Sequence, residues 1–117
     1  LISFDITNEG FVVKREDTRA FLEDSLAKLG LTQKEANEFI IYWLPRLEQN
    51  EYNLIAFQDE IYKENAELII TPAADTTIRV FMAWKGLEEP IEIEPQVLEA
   101  PERVGFVAVE WGGTEIK

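Results

Sequence analysis

The first half of the chain carries two stretches whose apolar residues recur at helical spacing. The first stretch follows the acidic pair Glu16 and Asp17, which place negative charge where a helix begins. Its apolar residues share one helical face: Phe21, Leu22, Leu26 and Leu29. Gly30 comes next and suits the left-handed conformation that ends many helices. The pattern therefore predicts a helix that opens near residue 16 and stops at Gly30.

The second stretch predicts a longer amphipathic helix. Thr32 and Glu35 have the spacing of a capping box, in which each side chain bonds the other residue's amide. Apolar residues then share one face: Ala36, Phe39, Ile40, Trp43, Leu44 and Leu47. Because Pro45 lacks a donor and clashes with the preceding turn, we expect a stop or kink near Trp43 or Leu44. The short gap between the two helices predicts an αα-hairpin.

After Asn50 the pattern changes to a period of two, which is typical of strands. Strands are predicted at residues 52–57, 67–71, 76–84, 90–95 and 105–111, with short extended segments at 1–6 and 11–13. Residues 77–84 and 105–111 are the most apolar, so we expect them at the centre of a sheet. Residues 90–95 have prolines at both ends and carry Glu92 and Glu94 on one face, which predicts an edge strand.

Helices followed by consecutive strands favour an α+β fold over a parallel βαβ fold. We predict an αα-hairpin packed on an antiparallel β-sheet of about four to five strands. The chain has 117 residues and shows no repeat or low-complexity linker, so residues 1–117 are expected to form a single domain. It starts without Met inside an alternating pattern, and we therefore expect it to be a fragment of a longer protein.

Composition removes several kinds of chemistry. The chain has no Cys and no His, which excludes disulfides, thiolate nucleophiles, iron–sulfur ligation and the Ser-His-Asp triad. No loop has the spacing of an EF-hand. We predict no catalytic residue, no metal site and no cofactor. With 23 Asp+Glu against 11 Lys+Arg, the net charge of −12 argues against nucleic acid as a partner. No apolar run reaches the length of a transmembrane segment.

Tyr42 and Arg46 are candidate ligand-binding residues in the second helix. They lie one helical turn apart and off the predicted buried face, so a tyrosine ring and a guanidinium can form one exposed platform. Such a platform could stack on a sugar or bind a peptide. The structural alternative treats the aromatic cluster as core, with Trp43 inside and Pro45 as a helix stop.

Arg79, Glu110 and Trp111 are the other candidate ligand-binding residues. Arg79 lies within an apolar strand, where it either anchors an anionic ligand or pairs with a carboxylate of Glu110 or Glu92. Glu110 beside Trp111 could form a carboxylate with an aromatic wall, as in a sugar site. Strand alternation instead points these two side chains to opposite faces, which favours a plain strand end.

Four sequence phrases carry a resemblance to a family. They are GFVV at residues 10–13, FIIYWLP at 39–45, IRVFM at 78–82 and VEWGGTE at 109–115. In this order they resemble the C-terminal half of an uncharacterised family of bacterial, often lipoprotein-like, secreted proteins. The resemblance implies an extracytoplasmic location, secreted or membrane-anchored through an N-terminal region absent from this chain. It implies no activity, cofactor or catalytic residue.

These observations favour a non-enzymatic extracytoplasmic binding or assembly domain of a bacterial surface protein. The expected partner is a cell-surface protein or a glycan. Two alternatives stay open: a carboxylate-dependent glycan hydrolase, which needs two carboxylates in one cleft, and an acidic inhibitor that mimics nucleic acid.

Overall fold

A computed structural model describes residues 9–57 and 74–116 and has the predicted α+β architecture. Strand β1 (Phe11–Lys14) is followed by a 3₁₀ turn (Arg15–Asp17) and by helices α1 (Thr18–Lys28) and α2 (Gln33–Leu47). Three strands follow: β2 (Tyr52–Phe57), β3 (Thr76–Leu87) and β4 (Val107–Glu115). The strands predicted at residues 1–6 and 67–71 lie outside the described residues.

The four described strands form one mixed sheet in the order β1-β2-β3-β4. The pairs β1–β2 and β2–β3 are antiparallel, as expected. The pair β3–β4 is parallel, which corrects the expectation of a wholly antiparallel sheet. The connection at residues 88–106 is long enough to permit this arrangement, since a parallel crossover requires about a dozen residues or more.

Four strand predictions need correction, one of them being the bounds of β4, which covers Val107–Glu115 and not residues 105–111. β3 does lie between two other strands, but β4, which was expected at the centre, comes last in the described order. β3 also runs past its predicted end, because Lys85 and Gly86 pair with Leu54 and Asn53 of β2. Residues 90–95 form no regular strand, and within them only Glu94 makes a bridge, to Glu9. Prolines at both ends of this segment remove the donors that a longer ladder would need.

The helical hairpin follows its sequence signals closely. The capping box is present: the Thr32 amide donates to Glu35 at 2.8 Å, and the Glu35 amide donates to the Thr32 hydroxyl. Gly30 has a φ of 101°, the left-handed conformation expected of a helix stop. α1 begins at Thr18, because the acidic residues before it form the 3₁₀ turn.

The sequence predicts a stop or a kink near Trp43 or Leu44; the stop is wrong, because α2 continues through Pro45 to Leu47. Trp43, Leu44 and Leu47 are all buried in the same face of the helix. Burying an apolar side chain of this size contributes about 1.5–3 kcal/mol, which is comparable to the cost of about 3 kcal/mol for an internal proline. The continued helix keeps the residues on its outer side, 41–42 and 45–46, in one exposed band.

The two faces of the sheet differ in what they bury. The hairpin packs on one face, where Phe39 and Trp43 of α2 form the main core with the sheet residues Ile55, Val80 and Met82. The opposite face holds a small cluster of Leu54, Ala56 and Ala83, with Val12 and Ile93 packed against it.

The connection at residues 88–106, which we call the crossover, is hydrogen-bonded to both the sheet and the helical hairpin. The side-chain amide of Gln96 bonds both backbone groups of Phe57, at 2.8 and 3.0 Å. Arg103 donates to the carbonyl of Gly30 at 2.9 Å and also to the Glu35 carboxylate. These contacts join the long crossover to the end of β2 and to the turn of the helical hairpin.

Candidate functional site

On the exposed side of α2, the side chain of Arg46 stacks on the ring of Tyr42 and donates a hydrogen bond to its backbone. The guanidinium carbon of Arg46 lies 4.1 Å from the centroid of the Tyr42 ring. The same side chain donates from Nη1 to the backbone carbonyl of Tyr42 at 2.6 Å. Stacking and the hydrogen bond together restrict the rotamers of two long side chains, although Tyr42 is 46% exposed. The pair is therefore fixed before any ligand arrives.

Apolar residues extend this pair into a continuous patch. Ile41 is 75% exposed, and Pro45 is exposed beside it. Trp111 of β4 is partly buried, with its ring centroid 5.8 Å from that of Tyr42. We call Ile41, Tyr42, Pro45 and Arg46, with Trp111 at the border, the α2 surface.

The α2 surface rests on the main core. Trp43 is buried, and its ring meets that of Tyr42 edge to face at a centroid distance of 4.8 Å. Phe39 is fully buried and contacts the Trp111 ring at 5.2 Å. Because these two anchors are packed, the exposed rings above them have little freedom to move. This arrangement can offer a rigid aromatic and cationic contact to a partner.

Arg46 is a positive group in an acidic protein. The chain carries a net charge of −12. Within residues 9–57 and 74–116, none of the ion pairs involves Arg46. Its guanidinium has five N–H donors, and the bond to the Tyr42 carbonyl uses one of them. The remaining donors can meet an acceptor on a partner.

Arg79 and Glu110 form a pair on the other face of the sheet. They stand directly opposite each other across β3 and β4, with Nε and Oε2 3.5 Å apart. Their side chains are 11% and 28% exposed. Glu110 is thus the carboxylate that a desolvated Arg79 needs. The arrangement is that of an ion pair within the sheet.

The five candidate residues therefore fall into two groups. Tyr42, Arg46 and Trp111 meet on the hairpin side, where Trp111 packs against the main core. Arg79 and Glu110 lie on the opposite side, so Glu110 and Trp111 do not share a site. A cleft of about 220 Å³ lies beside Arg79, and its described lining includes Glu99 and Gln96 but lacks Glu110.

Glu35 is a carboxyl with a shifted pKa, and it lies away from both groups. Burial raises the pKa of Glu35, but the hydrogen bond from the Thr32 amide and the hydrogen bond and charge of Arg103 outweigh it. The net result is a lowered pKa, which keeps Glu35 ionised. Its role is structural, since it caps α2 and holds the crossover.

The described residues contain neither a cluster suited to a metal ion nor a helix suited to a membrane. No group of three or more carboxylates in this part of the chain could hold a metal ion. None of the described helices combines the length and apolar character needed to cross a membrane.

Comparisons with family models, with curated proteins and with solved structures find no match to this chain. The functional proposal therefore rests on the described residues and their contacts. Sequence reasoning identified Tyr42 and Arg46 by their position off the buried face, but it missed Ile41. The same helical periodicity places Ile41 on that outer side, so the signal was available.

Proposed function

We propose that this chain is a non-enzymatic binding or assembly domain of a bacterial surface protein, located outside the cytoplasm, and that the α2 surface binds a protein partner. The resemblance of its four sequence phrases to bacterial, often lipoprotein-like, secreted proteins supports the location. The observation that carries the binding role is the stacked, hydrogen-bonded pair of Tyr42 and Arg46 beside the exposed Ile41.

The chemistry of the α2 surface supports a protein interface. Tyrosine, tryptophan and arginine are the side chains that most often dominate binding energy at interfaces. Ordering a flexible side chain on binding costs about 0.5–1.5 kcal/mol, and the existing contacts between Tyr42 and Arg46 reduce that cost. Ile41 is exposed, and covering its aliphatic side chain with a partner adds favourable free energy of apolar burial.

The stacking geometry favours a protein over a glycan as the partner. A sugar stacks on an open aromatic face, but Arg46 already covers one face of the Tyr42 ring at 4.1 Å. Trp43 and Trp111 approach the same ring at 4.8 and 5.8 Å. A partner that packs an apolar side chain against Ile41 and offers a carboxylate or carbonyl to Arg46 leaves these contacts in place.

The two other hypotheses remain predictions with less support. A carboxylate-dependent glycan hydrolase would have used Glu110, which forms an ion pair with Arg79. An acidic mimic of nucleic acid would need a continuous acidic stripe, whereas the α2 surface is apolar and cationic.

A binding experiment with matched variants tests the proposal. The immobilised chain is exposed to a detergent-solubilised bacterial envelope protein fraction and, separately, to purified peptidoglycan. We expect retention of envelope protein by the wild-type chain, and at least a tenfold loss with Tyr42→Ala or Arg46→Ala. A loss of that size corresponds to about 1.4 kcal/mol, within the range of an interface hot spot.

The controls match exposure and charge at positions away from the α2 surface. Phe106→Ala removes an aromatic side chain that is 45% exposed, close to the 46% of Tyr42. Arg19→Ala removes an exposed arginine from α1. Both controls should bind like the wild type. Binding of peptidoglycan with the same dependence on Tyr42 would contradict a protein partner, and equal retention by all variants would contradict the α2 surface.

A further inference from the structure

Strand β1 lies at the other end of the described strand order from β4, which borders the α2 surface. A cleft of about 820 Å³ separates β1 and Phe21 of α1 from residues 91–95 of the crossover. This volume falls within the range of about 300–1,000 Å³ that is typical of ligand pockets. None of the residues of the α2 surface lines this cleft.

One edge of β1 faces the cleft with its backbone groups. The Gly10 amide donates to the Glu94 carbonyl at 2.8 Å, so the backbone N–H and C=O groups of even-numbered residues in β1 point toward the crossover. The Arg15 amide donates to the Glu51 carbonyl next to β2, so the backbone groups of odd-numbered residues point toward β2. Since this direction alternates along a strand, the N–H and C=O of Val12 point into the cleft. Within the described parts of the chain, nothing bonds these outward groups of Val12.

The crossover already begins a strand pairing at this edge and then leaves it. Glu94 forms a single parallel bridge with Glu9. Pro95 has no N–H, and Gln96 turns to bond Phe57 at the end of β2. The edge beside Val12 is thus left without a neighbour from the crossover. An exposed strand edge of this kind is a template for one more strand.

The walls of the cleft define what an added strand would carry. Phe11 and Phe21 pack against the main core, with ring centroids 5.1 Å apart. Ile93 packs on the opposite face of the sheet, and Ile91 is 49% exposed. Side chains of an added strand alternate between these two faces. One set would therefore contact the phenylalanines and the other would lie on the side of residues 91–94.

The negative charge of the cleft wall favours a basic segment as its occupant. Glu92 and Glu94 are both exposed on the crossover wall. The nearby Lys14 forms an ion pair with Glu16 at 3.5 Å. Together with the net charge of −12, these carboxylates favour a basic segment and disfavour a second copy of this acidic chain.

We propose that β1 accepts an extended segment of a partner protein as an additional strand, and that this segment alternates apolar residues with lysine or arginine. Backbone bonds to Val12 supply affinity, the phenylalanines contact the apolar side chains, and Glu92 and Glu94 attract the basic ones. The site is independent of the α2 surface, and either can fail without the other.

The test uses a synthetic heptapeptide that alternates lysine and valine, with blocked ends. Its affinity for the 117-residue chain is measured by calorimetry, and the exchange of the Val12 amide is followed by NMR. We expect saturable binding that weakens as salt increases, together with at least tenfold slower exchange of the Val12 amide. A peptide that alternates glutamate and valine should bind at least tenfold more weakly.

Two variants of the chain separate edge pairing from charge attraction. Val12→Pro removes the backbone N–H that points into the cleft and should abolish binding. The hydrogen bonds between β1 and β2 should remain, because this N–H does not point toward β2. Glu92→Lys combined with Glu94→Lys changes only exposed side chains and should weaken binding at least tenfold. Arg46→Ala, which alters the α2 surface, should bind the peptide like the wild type.

Several results would overturn the proposal. They are absence of binding at millimolar peptide, equal affinity for the lysine and glutamate peptides, or an unchanged Val12 amide in the complex. Concentration-dependent dimerisation that Val12→Pro abolishes would assign the edge to a second copy of the chain and would equally overturn a basic partner segment.

Discussion

The two faces of the sheet differ in the amount of apolar surface that their described residues bury. On the hairpin face, large side chains such as Phe39, Trp43 and Met82 pack in one continuous cluster. On the opposite face, the described cluster centres on Leu54 and two alanines. The first face supplies most of the apolar burial among the described residues, and the two proposed binding sites, the outer side of α2 and the edge of β1, lie outside that cluster's centre.

The largest expected effect concerns the hairpin face. Phe39→Ala empties a fully buried position between Trp43 and Trp111, so it should lower the free energy of unfolding by about 3–5 kcal/mol. Leu54→Ala on the opposite face removes a smaller side chain and should cost about 2–3 kcal/mol. Urea unfolding measures both. An equal or reversed order would contradict the difference between the faces.

The ion pair of the opposite face should show a medium effect. Arg79→Met removes the guanidinium from beside Glu110, which stays in a site only 28% exposed, and should cost about 1–3 kcal/mol. Adding Glu110→Leu to this variant should recover part of the loss, because no partly buried carboxylate then remains. Urea unfolding of the two variants measures the difference in their free energy of unfolding. A double variant less stable than Arg79→Met would show that Glu110 stabilises the fold without Arg79.

A smaller effect concerns the link between the crossover and the hairpin. The pKa of Glu35 is lowered in the folded chain, so its stabilising contribution is present above the ordinary value of 4.5 and is lost as pH falls through the lowered value. Glu35→Gln keeps the shape of the capping box but lacks the charge. The stability difference between wild type and Glu35→Gln should therefore be largest near neutral pH and shrink below about pH 4.5. A difference that grows in acid would contradict this assignment.

The smallest effect on stability is expected at the α2 surface. Ile41→Ser changes an exposed side chain and should alter the free energy of unfolding by no more than about 0.5 kcal/mol. Arg46→Ala also removes the stacking on Tyr42, so it should cost no more than about 1 kcal/mol. Thermal unfolding followed by circular dichroism checks this. A loss above 1.5 kcal/mol would show that the α2 surface holds the fold together.

Local patterns were enough to predict the elements whose signals are close in sequence. The capping box of Thr32 and Glu35, the stop at Gly30 and the bounds of β2 all follow from a few neighbouring residues. The helical period also placed Tyr42 and Arg46 on the outer side of α2. Such signals suffice because a turn, a cap or an amphipathic face depends on spacing alone.

The predictions that failed depend on contacts between distant residues. The parallel direction of β4 follows from the path of residues 88–106, and no local pattern encodes that path. Pro45 stays inside α2 because burial of Leu44 and Leu47 outweighs a local penalty. The cleft at β1 joins residues 10–13 to residues 91–95, which are far apart in sequence.

The most direct test of the central claim compares binding and stability in the same variants. The double variant Tyr42→Ala/Arg46→Ala should keep the unfolding midpoint of the wild type within a few degrees, yet bind envelope protein at least tenfold more weakly. Its matched control, Phe106→Ala/Arg19→Ala, should keep both properties. If the double variant binds as well as the wild type, the α2 surface is not the recognition surface of this protein.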